Sequence, residues 1–376
     1  MKDIKTRAEM RTKLISLAVG LFLLLWLGLR LISSPPAPGL GLGIWRDRAG
    51  PSSDQERSTP AVLVQVRSEE GPYVLSEPQL KRVVLRSSWT NTGPEAIENL
   101  RIYVGVPMEL PEQDLMEVVW SPEPTAYLED RYGQRIAEFS LGRLEPGRTV
   151  TIGLTVVGRF WQIRYNLKPE RVGPLGEIPE EIIEAYTADG PYYRLDDPLI
   201  AATAERVVGE EENPYLMALK IHDFVAGSLE YDLDGKWDDA PTVLRRGSGS
   251  CSEFVFLFIA LARAVGLPAR YAGGSIYIPS QARRGTFIDR YHHRWVEVYL
   301  PGYGWVPFDP TWDHRGPGRP VSHEYVGSHG YALVFVRGDM DERYLGINYI
   351  DSADTGRGTD GEGPLRQERG VVWSNP

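Results

Sequence analysis

The chain has 376 residues, of which 42% are hydrophobic, 24% charged and 10% aromatic, a globular composition with enough apolar mass for two ordinary cores. Its 39 glycines and 29 prolines follow no Gly-X-Y period, which excludes collagen and favours a strand-rich, loop-rich body over a bundle of long helices. The net charge of −10 leaves the body acidic, which argues against nucleic acid as a partner because affinity for phosphate backbones is built from Lys and Arg.

The one basic region is the amino end, where Lys2, Lys5, Arg7, Arg11, Lys13 and Arg30 stand against Asp3 and Glu9. Five of these cations precede an apolar run from Leu14 to Leu29, which Leu31 and Ile32 extend past Arg30. Arg30 can snorkel its charge to the headgroups, and a run over 14–32 is about the length a bilayer core requires. Basic residues on the amino side predict that the run inserts with its N-terminus in the cytoplasm and the body outside. A cleavable signal peptide is the rival reading, although no A-x-A-like site precedes Ser33-Ser34-Pro35-Pro36; a buried soluble helix is the blander one. The expected organisation begins with a basic tip and membrane anchor over 1–33, then a Pro- and Gly-rich linker over 34–60.

A β-sandwich domain is expected over 61–170. Val62, Val64 and Val66 alternate with less apolar neighbours, as do Leu100, Ile102, Val104 and Val106, and again Val150, Ile152, Leu154 and Val156. Turn signals at Asn91-Thr92-Gly93-Pro94 and Glu145-Pro146-Gly147 separate these half-buried strands. With neither cysteine nor histidine, this stretch reads as a structural or adhesive module.

A second domain follows over 180–350. Helices are predicted at 197–208 and at 214–226, the latter opened by Asn213 as N-cap and Pro214 in its first turn. A third runs from about Ser252 to Val265, where Gly266 and Pro268 stop it. Strands are expected at 269–278, 293–300 and 304–309, so the order is α+β. Residues 351–376, rich in Asp, Gly, Arg and Ser, read as a flexible tail.

The only cysteine, Cys251, cannot form an intramolecular disulfide and is either a buried filler or a reactive group. It stands between a Gly/Ser loop, Gly247 to Ser250, and a helix apolar on nearly every face. The free N–H groups and the dipole at that helix N-terminus would favour a thiolate, and could hold an oxyanion. Downstream, Tyr291 to Leu300 and Tyr303 to Thr311 read as a hairpin turning at 300–302 with Gly302 left-handed. That register sets Tyr299 opposite Tyr303 and His293 opposite Asp309, within reach of an imidazole–carboxylate bond; a later turn sets Asp309 opposite Val296 instead. Asp232, Asp234, Asp238 and Asp239 around Gly235 lack the spacing and terminal Glu of a calcium loop and read as a solvated acidic loop.

Three separated motifs then coincide. Cys251-Ser252-Glu253-Phe254 with Ala260 to Tyr271, His293-x-Trp295-Val296-Glu297-Val298-Tyr299, and Trp305-Val306-Pro307-Phe308-Asp309-Pro310-Thr311 together resemble the bacterial transglutaminase-like superfamily, relatives of papain-like cysteine peptidases. The resemblance covers about 195–315. It implies an α+β fold whose papain-like core packs a Cys-bearing central helix on antiparallel strands, preceded by the sandwich and anchor. It also implies Cys251, His293 and Asp309 as a catalytic triad: a thiolate that attacks a carboxamide, an imidazole that moves the proton and a carboxylate that orients it. His292 is the rival of His293, but adjacent strand residues face opposite ways and the family spacing to Trp295 selects His293.

The implied function is extracytoplasmic, cysteine-dependent amide chemistry through a thioester, as peptidase, amidase or glutamine acyl transferase. Protein or peptide substrates of the cell envelope are the expected partners, with no cofactor. Arg294 departs from the family's His-Ala-Trp and sets a cation beside the site. With Trp295 it is a candidate substrate contact, and Trp237 or Tyr231 is a candidate oxyanion donor. His222 reads as helix packing, and His314, His323 and His329 show no zinc-ligand spacing, so no metal is expected. The competing function is a non-catalytic envelope-binding module that uses the same groove.

Overall fold

A computed structural model of the chain describes residues 71–290, 292–341, 343–356 and 364–376, all within the unit Leu63–Pro376. The apolar run at 14–32, the linker and the alternation at Val62–Val66 lie outside the described residues. Among the described residues no helix is long and apolar enough to cross a membrane.

The first strands are β1 (Tyr73–Asn91), β2 (Ile97–Gly105), β3 (Gln113–Ser121), β4 (Ala126–Glu129), β5 (Arg135–Leu144) and β6 (Thr149–Tyr165). Their period of two is visible in burial: Val83, Leu85 and Trp89 of β1 and Ile152, Leu154 and Val156 of β6 turn inward while their neighbours do not. β6 is the spine of one antiparallel sheet, with β1 on one side (Val83 opposite Val156) and β3 on the other (Val118 opposite Val156). β2, β5 and β4 make a second sheet with Ile102 opposite Phe139. The two lie face to face, Trp120 of one against Phe139 of the other with ring centroids 5.5 Å apart.

The helical part follows, with α1 (Glu180–Tyr186), α2 (Pro198–Val208), α3 (Pro214–Ser228), β7 (Glu230–Tyr231), α4 (Ala240–Arg246), β8 (Ser248–Gly249) and α5 (Cys251–Ala264). Local chemistry sets these boundaries. Asp197 accepts the Leu199 N–H, Asn213 accepts those of Tyr215 and Leu216, and Pro198 and Pro214 open their helices. Every residue from Cys251 to Arg263 is buried, because α5 is surrounded by α2, α3 and α4 and lies on the following strands. Each fully buried Phe, Leu or Ile there contributes about 1.5–3 kcal/mol relative to exposure.

Next come β9 (Ala269–Ile276), β10 (Phe287–Asp289), β11 (His293–Leu300), β12 (Gly304–Phe308), α6 (Pro310–Asp313), β13 (Ser328–His329), β14 (Ala332–Gly338), β15 (Asp351–Asp354) and β16 (Leu365–Ser374). The sheet under α5 runs β12-β11-β9-β14, antiparallel throughout. Gly274 of β9 lies opposite His293, and a Cβ there would meet the Leu333 carbonyl oxygen at 2.1 Å, so only glycine lets β14 approach. Glu297 of β11 is buried between Arg270 (2.9 Å) and Arg337 (2.8 Å), and Arg337 also grips Glu112 (2.5 Å), tying the site strand to the sandwich.

Two expectations need correction. Within the expected tail, 351–354 and 365–374 are strands: β15 pairs with β2, and β16 runs along β1 from Arg82–Ser374 to Asn91–Leu365. Val371 and Trp373 alternate into the core, Trp373 against Phe160 (4.9 Å) and Tyr277 (5.6 Å), and so short a period was hidden by the polar residues before it. Nor do 61–170 and 180–350 keep to separate sheets, since β10 pairs with β16 and β13 with β6. Val371→Ala is therefore expected to cost about 2 kcal/mol in urea unfolding. A tail would register no change.

Candidate active site

Cys251 is the first residue of α5. Its place is held by Glu253, whose buried carboxylate reaches back to accept the Ser250 N–H at 2.7 Å, the Glu half of a capping box. The same carboxylate takes Arg246 Nη2 at 2.6 Å and the Asp238 N–H at 3.2 Å, pinning the preceding loop to the helix. Gly249 is required here because a Cβ would come within 2.7 Å of Glu253 Cβ. The acidic loop is spent on structure: Asp238 pairs with Arg246 at 2.5 Å, and Asp239 caps α4 through the Thr242 N–H.

His293 opens β11, packed against α5, and Asp309 is the N-cap of α6. His293 Nε2 and Asp309 Oδ2 are 2.5 Å apart. The other carboxylate oxygen accepts the Thr311 and Trp312 N–H groups at 3.1 Å each, so Asp309 both orients the imidazole and caps the turn. The register that achieves this differs from both expected ones. Tyr299 lies opposite Trp305, and continuing that ladder by one residue aligns Asp309 with Trp295. The turn sits one residue later than expected because Gly302 (φ 88°) and Gly304 (φ 78°) are both left-handed. His293 then meets Asp309 on the diagonal, which a ring side chain can span.

The imidazole also stands close enough to the Cys251 thiol for each to shift the other, so Cys251, His293 and Asp309 follow one another in a Cys–His–Asp line. Burial pushes the thiol up, but the His293 bond and charge, followed by the Arg294 N–H and guanidinium, hold it below its ordinary value. Burial likewise opposes the imidazolium, and the Asp309 charge and hydrogen bond, with Cys251, raise His293 to about 10. Both shifts run toward a thiolate beside an imidazolium. Iodoacetamide alkylation of Cys251 is thus expected to persist to lower pH than that of an ordinary thiol, which slows below ~8.5. His293→Ala should restore the ordinary profile, and a wild-type rate that falls together with that of an ordinary thiol would contradict the lowered value.

His292, the rival, has φ 59° and turns away; its N–H and Nδ1 bind Asp289 at 2.9 and 3.3 Å. Arg294 is fully buried on the α5 side. Its Cζ lies 4.5–5.3 Å from the rings of Tyr349, Tyr271, Phe256 and Trp237, and Nη2 bonds the Ile347 carbonyl. Trp237 thus reaches the site through that guanidinium, and Tyr231 packs its ring 6.4 Å from Phe254. Trp295 is buried on the opposite face of β11, its ring 3.9 Å from His329, and supports the sheet.

Two site residues escaped the sequence reading. Trp312 stacks on His293 at 4.7 Å with 11° between planes; its position three residues after Asp309 on the capped turn was the available signal. Tyr349 lies over Arg294 and near enough to Cys251 for the thiolate charge, added to burial, to raise its phenol. Gly273 leaves room for it, since a Cβ there would meet the Tyr349 ring at 2.6 Å.

Residues 201–310 match the sequence profile of the transglutaminase-like superfamily. This segment is a transglutaminase-like domain. The match takes in Cys251, His293 and Asp309. The chain is similar in fold to a candidate cysteine protease from Cytophaga hutchinsonii, with a TM-score of 0.54 and 17% identity over 80% of this chain and 92% of that one. An uncharacterised protein of Haemophilus influenzae is 29% identical over 34% of this chain, and the uncharacterised YebA of Bacillus subtilis 25% identical over 44% of it. The chain spans only 39% and 25% of the length of those two relatives.

Proposed function

We propose that the chain is a membrane-anchored, extracytoplasmic cysteine enzyme that opens carboxamides, peptide or glutamine-type, through a thioester on Cys251. The observation that carries this reading is the buried His293–Asp309 hydrogen bond beside the Cys251 thiol at the N-terminus of α5, with the thiol held below its ordinary value by that imidazole. The thiolate attacks the carbonyl carbon and forms the C–S bond, and the N-terminus of α5 faces the oxyanion that develops. His293 gives its proton to the departing amine as the C–N bond breaks. It then takes a proton from the water or amine that resolves the thioester, while Asp309 holds the ring throughout. The protein or peptide substrate would lie at the envelope face of the membrane. The anchor rests on the five cations before the apolar run at 14–32.

Intact-mass analysis of acid-quenched turnover with casein peptides tests the chemistry. An adduct on Cys251 that hydroxylamine removes, and that Cys251→Ala never forms, is expected; turnover that survives Cys251→Ala would reject the thioester. Protease added to intact spheroplasts should digest the body. Full protection until lysis would reject the extracytoplasmic placement.

A further inference from the structure

Apart from Cys251 and its partners, two imidazoles converge on one carboxylate oxygen. His323 Nε2 is 2.7 Å and His222 Nδ1 3.2 Å from Asp223 Oδ1, and the candidate ligand atoms all lie within 4.8 Å of one another. Around a tetrahedral zinc, with each ligand roughly 2.0–2.1 Å out, ligand atoms sit about 3.3 Å apart. Little movement separates the hydrogen-bonded cluster from a coordinating one. We propose that His222, Asp223 and His323 form a binding site for a first-row divalent cation, with zinc the best fit, which braces the segment carrying Asp309.

His222 is the fixed member. It is wholly buried on α3, and its far nitrogen, Nε2, faces the buried Asp313 carboxylate at 3.2 Å, off the line of a good hydrogen bond. Asp313 is itself held by the Glu324 and Tyr325 N–H groups at 2.9 Å each. A carboxylate behind the second ring nitrogen is the arrangement that fixes the tautomer of a metal-bound histidine and strengthens it as a ligand. Asp223 and His323 are half-exposed and leave a fourth position to water. Two nitrogens and one carboxylate suit zinc and its neighbours, whereas calcium and magnesium ask for more oxygens than the cluster offers. Residue spacing carries no sign of it and leads to an expectation of no metal, because His323 comes a hundred residues after Asp223 and meets it only in the fold.

The location has a consequence for the neighbouring site. Asp309 and Asp313 bracket α6, and the Asp309 N–H donates to the Tyr325 carbonyl two residues from His323. An ion that joins α3 to His323 therefore holds the two ends of the turn that presents Asp309 to His293.

The test is a Co²⁺ titration of the full chain bearing Cys251→Ala, stripped with chelator, so that no thiol competes. A visible d–d band of four-coordinate Co²⁺ is expected to saturate at one equivalent, to be displaced by Zn²⁺, and to be lost in Asp223→Asn and in His323→Ala. Asp313→Asn should weaken the affinity about 10–100-fold while keeping the band. Zinc should also raise the Tm of the Cys251→Ala protein and of neither ligand variant. Absence of a saturable band, or a band of equal affinity in both ligand variants, overturns the proposal; neither result bears on the thioester chemistry.

Discussion

Asp309→Asn is expected to keep the fold and lose up to ~10⁴-fold in turnover, the loss known for the equivalent change in serine-protease triads. The two N–H groups of Thr311 and Trp312 are donors, so they retain the amide oxygen and the cap survives. The amide nitrogen is then left facing His293 Nε2. It donates to that nitrogen and forces the ring proton onto Nδ1, the position from which the ring must receive the thiol proton. The imidazolium also loses the carboxylate that is the main influence raising it. Amide turnover, Cys251 alkylation below pH 8 and Tm should be read together. The first two fall and the third does not; near-native turnover with unchanged Tm would leave Asp309 as a cap only.

Asp339→Ala is expected to destabilise the protein by about 3–5 kcal/mol, because it strands a buried cation. Arg263 of α5 gives Nη2 to Asp339 at 2.6 Å and to the Ala269 carbonyl at 2.7 Å, and Nη1 to Ala188 at 2.7 Å. Tyr193 donates its hydroxyl to the other Asp339 oxygen at 2.6 Å and offers its ring face to the guanidinium at 4.5 Å. Burial works to discharge Arg263, and Asp339 is the main influence that keeps it charged. The apolar double variant Arg263→Leu, Asp339→Leu should recover most of the loss, since both charges then leave the interior together. Urea unfolding with an unchanged m-value measures this, and a single-variant loss under about 1 kcal/mol would show that water reaches Arg263.

What the sequence disclosed was what local chemistry determines. Asn213, Pro214 and the apolar run after Cys251 place α3 and α5 to within two residues, because caps and helical period act over a few neighbours. His293 and Asp309 do meet, but the sequence paired them through a register that was two residues out on β12, since the second left-handed glycine, Gly304, is indistinguishable in sequence from an ordinary strand start. Tyr349 could not be found at all: its approach to Cys251 is made by a bare Gly273 and by Arg294, neither of which announces a partner 55 or more residues away. Trp373 and His323 were missed for the same reason. Their partners are fixed by sheet closure and loop packing rather than by spacing.

The pairing of β16 with β1 bears on how the protein is made. Arg82 and Ser374 are neighbours in space and nearly 300 residues apart in the chain, so β1 emerges during synthesis with one flank unpaired and stays so until β16 arrives. Such distant closure is slow, and an open strand edge carrying Val83, Leu85 and Trp89 is a template for pairing with other chains. A chain cut short before residue 365 would therefore carry an adhesive flank, although Cys251 lies more than a hundred residues upstream.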